Sequence, residues 1–213
     1  MEQNIEISAL RSEKLQQAQL FFNRLGSRDL KFIGVAGSVS YGPSSAEDDV
    51  DIFIIAERGK LWKVLLKAFL ARRLLGNKDI CISLTMDEVY AEDLYRRDAE
   101  YVVASDAVHV IPLFGSEYYD MLLSISPFVE RYFPARLRKG DSVPDSRPPS
   151  VPSLLDYIIF LVLGPYLIMR SLKNNKGLMK TNIEKCFRVR TGFRHFYLDS
   201  VKYANLKKKG DDL

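Results

Sequence analysis

Between residues 8 and 25 apolar side chains recur at Leu10, Leu15, Ala18, Phe21, Phe22 and Leu25, with Ser8 placed to cap and Gly26 to stop. That spacing predicts an amphipathic helix. The apolar run Phe32–Ala36 leads straight into Gly37-Ser38 and predicts a short buried strand. Ser40 to Asp49 is rich in serine, glycine, proline and acid, which predicts a loop. Ile52–Ala56 is dominated by β-branched residues and predicts a second strand, buried on both faces. A strongly apolar helix is expected over 60–75, halted by Gly76-Asn77, and then a third strand from Asp79 to Thr85. Residues 87–105 read as helix, Val108–Phe114 as a fourth strand and 116–124 as a short helix. Strands and helices in this order predict an α+β fold, a mixed sheet packed by helices.

From Pro127 the pattern changes. Residues 134–153 combine proline, glycine, serine and charge, which predicts an extended connection. Beyond it, Leu154 to Met169 is apolar except at Asp156, Gly164 and Pro165. The run is shorter than the ~20 residues of a membrane span. It carries a carboxylate near its start and Gly-Pro inside, so the expectation is a buried core helix and no membrane span. The resulting division is 1–126 as the main domain, 127–153 as a proline-rich connection and 154–213 as a basic helical C-terminal module.

Composition narrows the class. The chain has 213 residues, 47% hydrophobic and 27% charged, enough for one α/β domain or a small domain with a helical appendage. Twelve glycines and nine prolines exclude collagen-like or low-complexity character. Cys81 and Cys186 form no CxxC, and with only His109 and His195 no zinc site of ordinary spacing can be assembled. The first twenty residues mix charge with apolar positions and lack a signal-peptide core, so a cytoplasmic location is expected. The net charge of +4 is unevenly divided: Arg170–Leu213 holds 12 Lys/Arg against 4 Asp/Glu, leaving 19 against 23 before it. An acidic body with a basic tail points to anionic partners.

The chemistry concentrates between Gly37 and Ile55. Gly37 ends a strand where the absence of a side chain lets a polyphosphate approach the backbone. Ser38 offers a hydroxyl and an amide N–H at the start of a helical turn. Asp49 and Asp51 flank Val50 as the next strand begins. With period two, both carboxylates project from one face. Paired oxygen ligands at the edge of an apolar sheet select Mg²⁺ or Mn²⁺, with substrate phosphates completing the shell. Such a site suits phosphoryl or nucleotidyl transfer by a metal pair. The bland alternative, a solvated acidic turn formed by Asp48, Asp49 and Asp51, does not require Asp51 to open an apolar run.

Gly37-Ser38, Gly42 four residues after that serine, and Asp49-x-Asp51 on the following strand resemble the signature of the polymerase-β-type nucleotidyltransferase superfamily, in particular its small archaeal and bacterial members. The resemblance covers about residues 30–115. Val110–Gly115 and Pro127–Pro134 also look like pieces of one archaeal branch. The resemblance implies a mixed-sheet core, an NTP such as ATP as substrate, Mg²⁺ or Mn²⁺ as cofactor, and transfer of NMP to an acceptor hydroxyl with release of pyrophosphate. Gly37, Ser38 and Gly42 would bind the nucleotide, and Asp49 and Asp51 the metal. It also implies a third carboxylate on the strand after the long helix, for which Asp79 is the candidate, holding the catalytic metal. Ser83, two positions beyond Cys81 on the same face, is the alternative occupant. At Tyr41 the sequence departs from an arginine common in small members.

The basic tail interleaves Arg170, Lys173, Lys176, Lys180, Lys185, Arg188, Arg190 and Arg194 with Phe187, Phe193, Phe196 and Tyr197. Basic plus aromatic suits a nucleotide, RNA or a protein acceptor, while the plain reading is a solvated helical surface. Arg190-x4-His195 matches a spacing seen in helical ribonuclease toxins, a match that chance supplies readily in a basic segment. Two other classes of function stay open beside the transferase: a catalytically silent nucleotide- or RNA-binding module, and an antitoxin-like protein acting on a helical toxin partner.

Overall fold

The structure, a computed structural model, describes residues 2–42, 45, 48–137, 153–178 and 187–200. Most of the proline-rich connection, Lys180, Lys185, Cys186 and the tail beyond residue 200 lie outside the described residues.

The chain opens with helix α1 (Glu2–Leu25) and strand β1 (Leu30–Ala36), followed by the single turn α2 (Ser38–Tyr41) and β2 (Val50–Ala56). Helix α3 (Leu61–Leu75) then crosses over to β3 (Ile80–Asp87). Next come α4 (Glu88–Tyr95), α5 (Tyr101–His109), β4 (Ile111–Phe114), α6 (Ser116–Ser124) and α7 (Pro127–Tyr132). After the proline-rich segment stand α8 (Leu154–Leu178) and the hairpin β5 (Phe187–Gly192) and β6 (His195–Ser200). The fold is α+β, with one six-stranded sheet in the order β4-β1-β2-β3-β6-β5. β2 and β3 run parallel, as a helical crossover requires, and every other pair is antiparallel.

Strand alternation builds two layers. Ile33, Val35, Ile52, Ile54, Ile80 and Ile82 face α1, α3 and α8. Phe32, Phe53, Ile55 and Met86 face the layer made by α4–α7, around Tyr95, Tyr119 and Phe128. This two-sided burial accounts for the uninterrupted apolar run from Ile52 to Ala56 in β2. Asp51 shares parity with Phe53 on β2, and the charge of Asp106 on α5 reaches it, whereas Asp49 stands exposed just before the strand.

Two expectations are corrected. Residues 87–105 are two helices rather than one. The Asp87 carboxylate accepts from Tyr90 N–H at 2.9 Å to start the first, and the second begins at Tyr101. Among the described residues of the expected helical module over 154–213, only α8 is helical. Residues 187–200 form a hairpin that joins the sheet, Leu84 pairing with Tyr197 and Met86 with His195. The hairpin is held to α3 as well, because the Trp62 indole N–H donates to the Phe193 carbonyl at 3.0 Å.

Helix α8 also departs from the buried core helix expected. Its inner face packs on α3 and β5 through Phe160, Leu163 and Leu167. Asp156 on that face is fully buried and its Oδ1 accepts from the Lys63 backbone N–H at 2.7 Å, tying it to the first turn of α3. The outer face is exposed and apolar, with Leu154 77% and Val162 69% accessible. Among the described residues it is the one helix long and apolar enough to cross a membrane, over Leu154–Lys173.

Candidate active site

The site forms where β1 ends beside the start of β2. Their antiparallel register puts Ala36 opposite Asp51. The next residue, Gly37, has φ 66°, a left-handed conformation that disfavours a side chain. A Cβ there would also overlap the Asp51 carboxylate. Gly37 therefore does two things for the same contact: it reverses the chain into α2 and lets the backbone lie against Asp51.

Two cations from α1 hold the connecting loop. The Arg11 guanidinium donates to the carbonyls of Val39 at 3.1 Å and Ser40 at 3.2 Å. Lys14, 4% exposed, donates to the carbonyls of Ser45 at 2.5 Å and Asp48 at 2.6 Å. Asp48 itself turns back to accept from Ser45 N–H at 2.7 Å. Asp48 is thus part of the loop's own scaffold, while Asp49 is exposed and Asp51 is turned inward against Gly37.

Gly37, Asp49 and Asp51 line a cavity of about 1680 Å³. That is larger than the roughly 300–1,000 Å³ of a usual small-molecule pocket. Burial pushes the Asp51 carboxyl from 3.8 up to about 6, with the Asp49 charge adding to it and hydrogen bonds from Cys81 and Ser83 opposing. Burial also raises Asp49, while Arg72 and Lys14 pull it back. The Cys81 thiol is pushed well up by burial and by the charges of Asp51 and Asp49, so it stays protonated. Two carboxyls that resist ionising together are what a divalent cation would stabilise.

The three sequence-predicted carboxylates do not converge equally. Asp79 stands just before β3, exposed, with its backbone carbonyl accepting from Val50 N–H at 2.7 Å. Its own N–H is capped by Asn77 Oδ1 at 2.9 Å. Its charge acts on Asp49, but it lies outside the cavity lining. Level with Asp51 on β3 stands Cys81. A register shift between Ile52 and Phe53, opposite Ile82 and Leu84, then makes Ser83 a bulge residue. Its hydroxyl lies 3.4 Å from the Ile52 carbonyl and bonds to Asp51. Among the described residues, no group of three His, Cys, Asp or Glu side chains is disposed to hold a metal ion. Ser38 is exposed at the start of α2 and Gly42 closes that turn with φ 131°; both lie beside the cavity lining rather than in it.

Sequence reasoning missed Asp106. It sits on α5, lines the same cavity, and its charge reaches Asp51. The Tyr41 hydroxyl donates to Asp106 at 2.6 Å, and the Tyr41 ring stacks on His109 with centroids 4.4 Å apart. Tyr41 is therefore a strut between α2 and α5. No local pattern in Tyr101–His109 marks Asp106; the packing of α5 over the sheet brings it in.

Two of the tail's aromatic residues, Phe193 and Phe196, are structural. Phe196 is buried in the core, and Phe193 packs against Tyr157 and Phe160. Arg190 and His195 stand on opposite strands of the hairpin, not on the helix that the ribonuclease-like spacing would need. Arg170 lines the cavity together with Arg72, Arg73 and Lys78. Comparison of the chain with family models, curated proteins and solved structures finds no match.

Proposed function

We propose that the protein is a metal-dependent nucleotidyltransferase that moves an NMP group from an NTP to an acceptor hydroxyl. The observation that carries this reading is the seating of Gly37 against the Asp51 carboxylate at the mouth of a large cavity that Asp49 also lines. A backbone turn free of side chain beside two carboxylates is where a triphosphate and its cation meet. Asp49 and Asp51 offer hard oxygen donors, and one or two carboxylates with substrate phosphates are the usual holding set for Mg²⁺. The residues present therefore fit one such ion arriving with the nucleotide. When bound, the ion would neutralise phosphate charge and polarise the transferred phosphoryl group. Arg72, Arg73 and Arg170 along the cavity would attract the polyphosphate, and the remaining volume would admit the acceptor.

A second reading is favoured by one feature. Cys81 and Ser83, not a carboxylate, flank Asp51 on β3. That arrangement suits a module that binds nucleotide without turning it over. Pyrophosphate release from ATP with Mg²⁺, measured for wild type and for Asp49→Asn/Asp51→Asn, separates the two. Transferase chemistry predicts release that drops by at least about 100-fold in the double variant, a usual size for loss of a charge-stabilising group. ATP binding without release supports the silent module. Equal release in both proteins, or no nucleotide binding at all, refutes the transferase.

A further inference from the structure

The outer face of α8 is the largest feature that the proposed chemistry leaves unused. Between Leu154 and Met169 every exposed residue of this helix is apolar. Monomeric proteins rarely leave a contiguous apolar patch above a few hundred Å² open to water. The pattern is also ordered. Leu154, Ile158, Leu161, Pro165, Ile168 and Leu172 alternate in steps of four and three, all exposed. Leu155, Val162 and Met169 form a parallel row seven residues apart. Steps of four and three are the seam through which one helix receives another.

Area and charge indicate which helix. The exposed fractions of the eight leucine, isoleucine, valine and methionine side chains in these two rows correspond to roughly 900 Å², against about 800 Å² per partner in a stable protein–protein interface. A patch without charge can meet a copy of itself with no like-charge contact. Arg170 and Lys173 stand at one end only, so parallel pairing would bring them together, whereas antiparallel pairing sets them at opposite ends. The helix cannot leave the fold to offer this face elsewhere, because Asp156 is bonded to the Lys63 backbone and Phe160 packs on Trp62.

We infer that the protein forms a two-fold symmetric homodimer through antiparallel packing of the outer faces of α8, with the step between Leu161 and Val162 at the centre. An isologous contact of this kind places each residue opposite the partner's residue equally far from the axis. The inference is independent of the chemistry at the Asp49–Asp51 site.

Sedimentation equilibrium on the full chain tests it, comparing wild type with Val162→Glu and Leu161→Glu. Circular dichroism and thermal unfolding would establish that the variants remain folded, and both positions are exposed. The expected result is a wild-type dimer at micromolar concentration and monomers for both variants, a rise in dimer Kd of at least about 100-fold from burying opposed charges. Val162→Cys adds a test that needs no destabilisation. Lying at the centre, it should cross-link into a covalent dimer on mild oxidation beyond any wild-type background, while Leu154→Cys and Leu172→Cys should not. A wild-type monomer overturns the inference, and so does a dimer unmoved by both glutamates. Co-flotation of monomeric protein with anionic phosphatidylserine vesicles, lost in Val162→Glu, would overturn it in favour of a lipid surface.

Discussion

Asp51 is the residue at which site chemistry and fold stability meet, and its conversion to asparagine separates them. Burial lifts its carboxyl from 3.8 to about 6. A shift of about two units corresponds to about 3 kcal/mol at most. Because the side chain keeps some contact with the cavity, screening reduces the expected contribution to about 1–2 kcal/mol. The sign follows from proton counting. Between about pH 4 and pH 6 the native chain holds a proton that the unfolded chain has released, so stability falls as pH rises. The Asp51 contribution is fully present below about pH 4 and lost through about pH 6. Asp51→Asn cannot ionise, so it should match wild type near pH 4 and exceed it by about 1–2 kcal/mol near pH 8. Asp49, Asp87 and Asp156 are shifted the same way and add to the slope of both proteins. To first order they cancel in the difference. The assay is urea unfolding of wild type and variant across this range in EDTA, repeated with millimolar Mg²⁺. Mg²⁺ should restore wild-type stability near pH 8 and leave Asp51→Asn unmoved. Parallel pH profiles, or a variant less stable than wild type near pH 8, would refute the argument from burial.

Three further changes probe the scaffold. Gly37→Ala must hold φ 66° and displace the Asp51 carboxylate, so unfolding should show a loss of about 1–3 kcal/mol, and part of that loss should vanish in an Asp51→Gly background. Lys14→Met keeps the apolar stem but strips the Ser45 and Asp48 carbonyls of their donor, which should lower Tm by about 3–8 °C for a chain of this size. Asp156→Ala removes the acceptor from the Lys63 N–H and should cost about 1–2 kcal/mol by denaturant unfolding. Asp156→Asn keeps an acceptor oxygen without a buried charge and should be nearly neutral.

What was legible in the sequence was what depends on local spacing. The run from β1 through Gly37, β2, α3 and β3 stands where apolar periodicity and the Gly76 stop put it, and alternation correctly separates Ile52 and Ile54 from Phe53 and Ile55 on the two faces of β2. What was not legible depends on register and on distant packing. Strict alternation places Asp79, Cys81 and Ser83 in one row, but the shift at Ser83 breaks that row and leaves Cys81 level with Asp51. Asp106 reaches the cavity through the packing of a whole helix, which no spacing within Tyr101–His109 encodes. The hairpin did carry a signal. Phe187, Val189 and Thr191 alternate with Arg188 and Arg190, a strand pattern followed by Gly192, and its density of positive charge obscured the period.

That hairpin changes what the uneven charge can mean. A detachable basic module would invite a test by deleting residues 170–213. Here the deletion would remove both strands that extend the sheet beyond β3, and with them the Phe193 carbonyl that receives the Trp62 indole N–H. Loss of activity in such a truncation would therefore say nothing about charge. The described cations are also not equivalent. Arg194 stands 3.9 Å from the Asp87 carboxylate, whereas Arg170 opens onto the cavity with Arg72 and Arg73. The positive charge along the cavity thus comes from the end of α3 as well as from α8, two elements packed side by side. The division between an acidic body and a basic tail, so plain along the chain, becomes in three dimensions a cavity lined by carboxylates and arginines together. Neutralising Arg72 or Arg170 singly leaves the sheet intact, and is the perturbation in which a change of nucleotide affinity can be read as electrostatics.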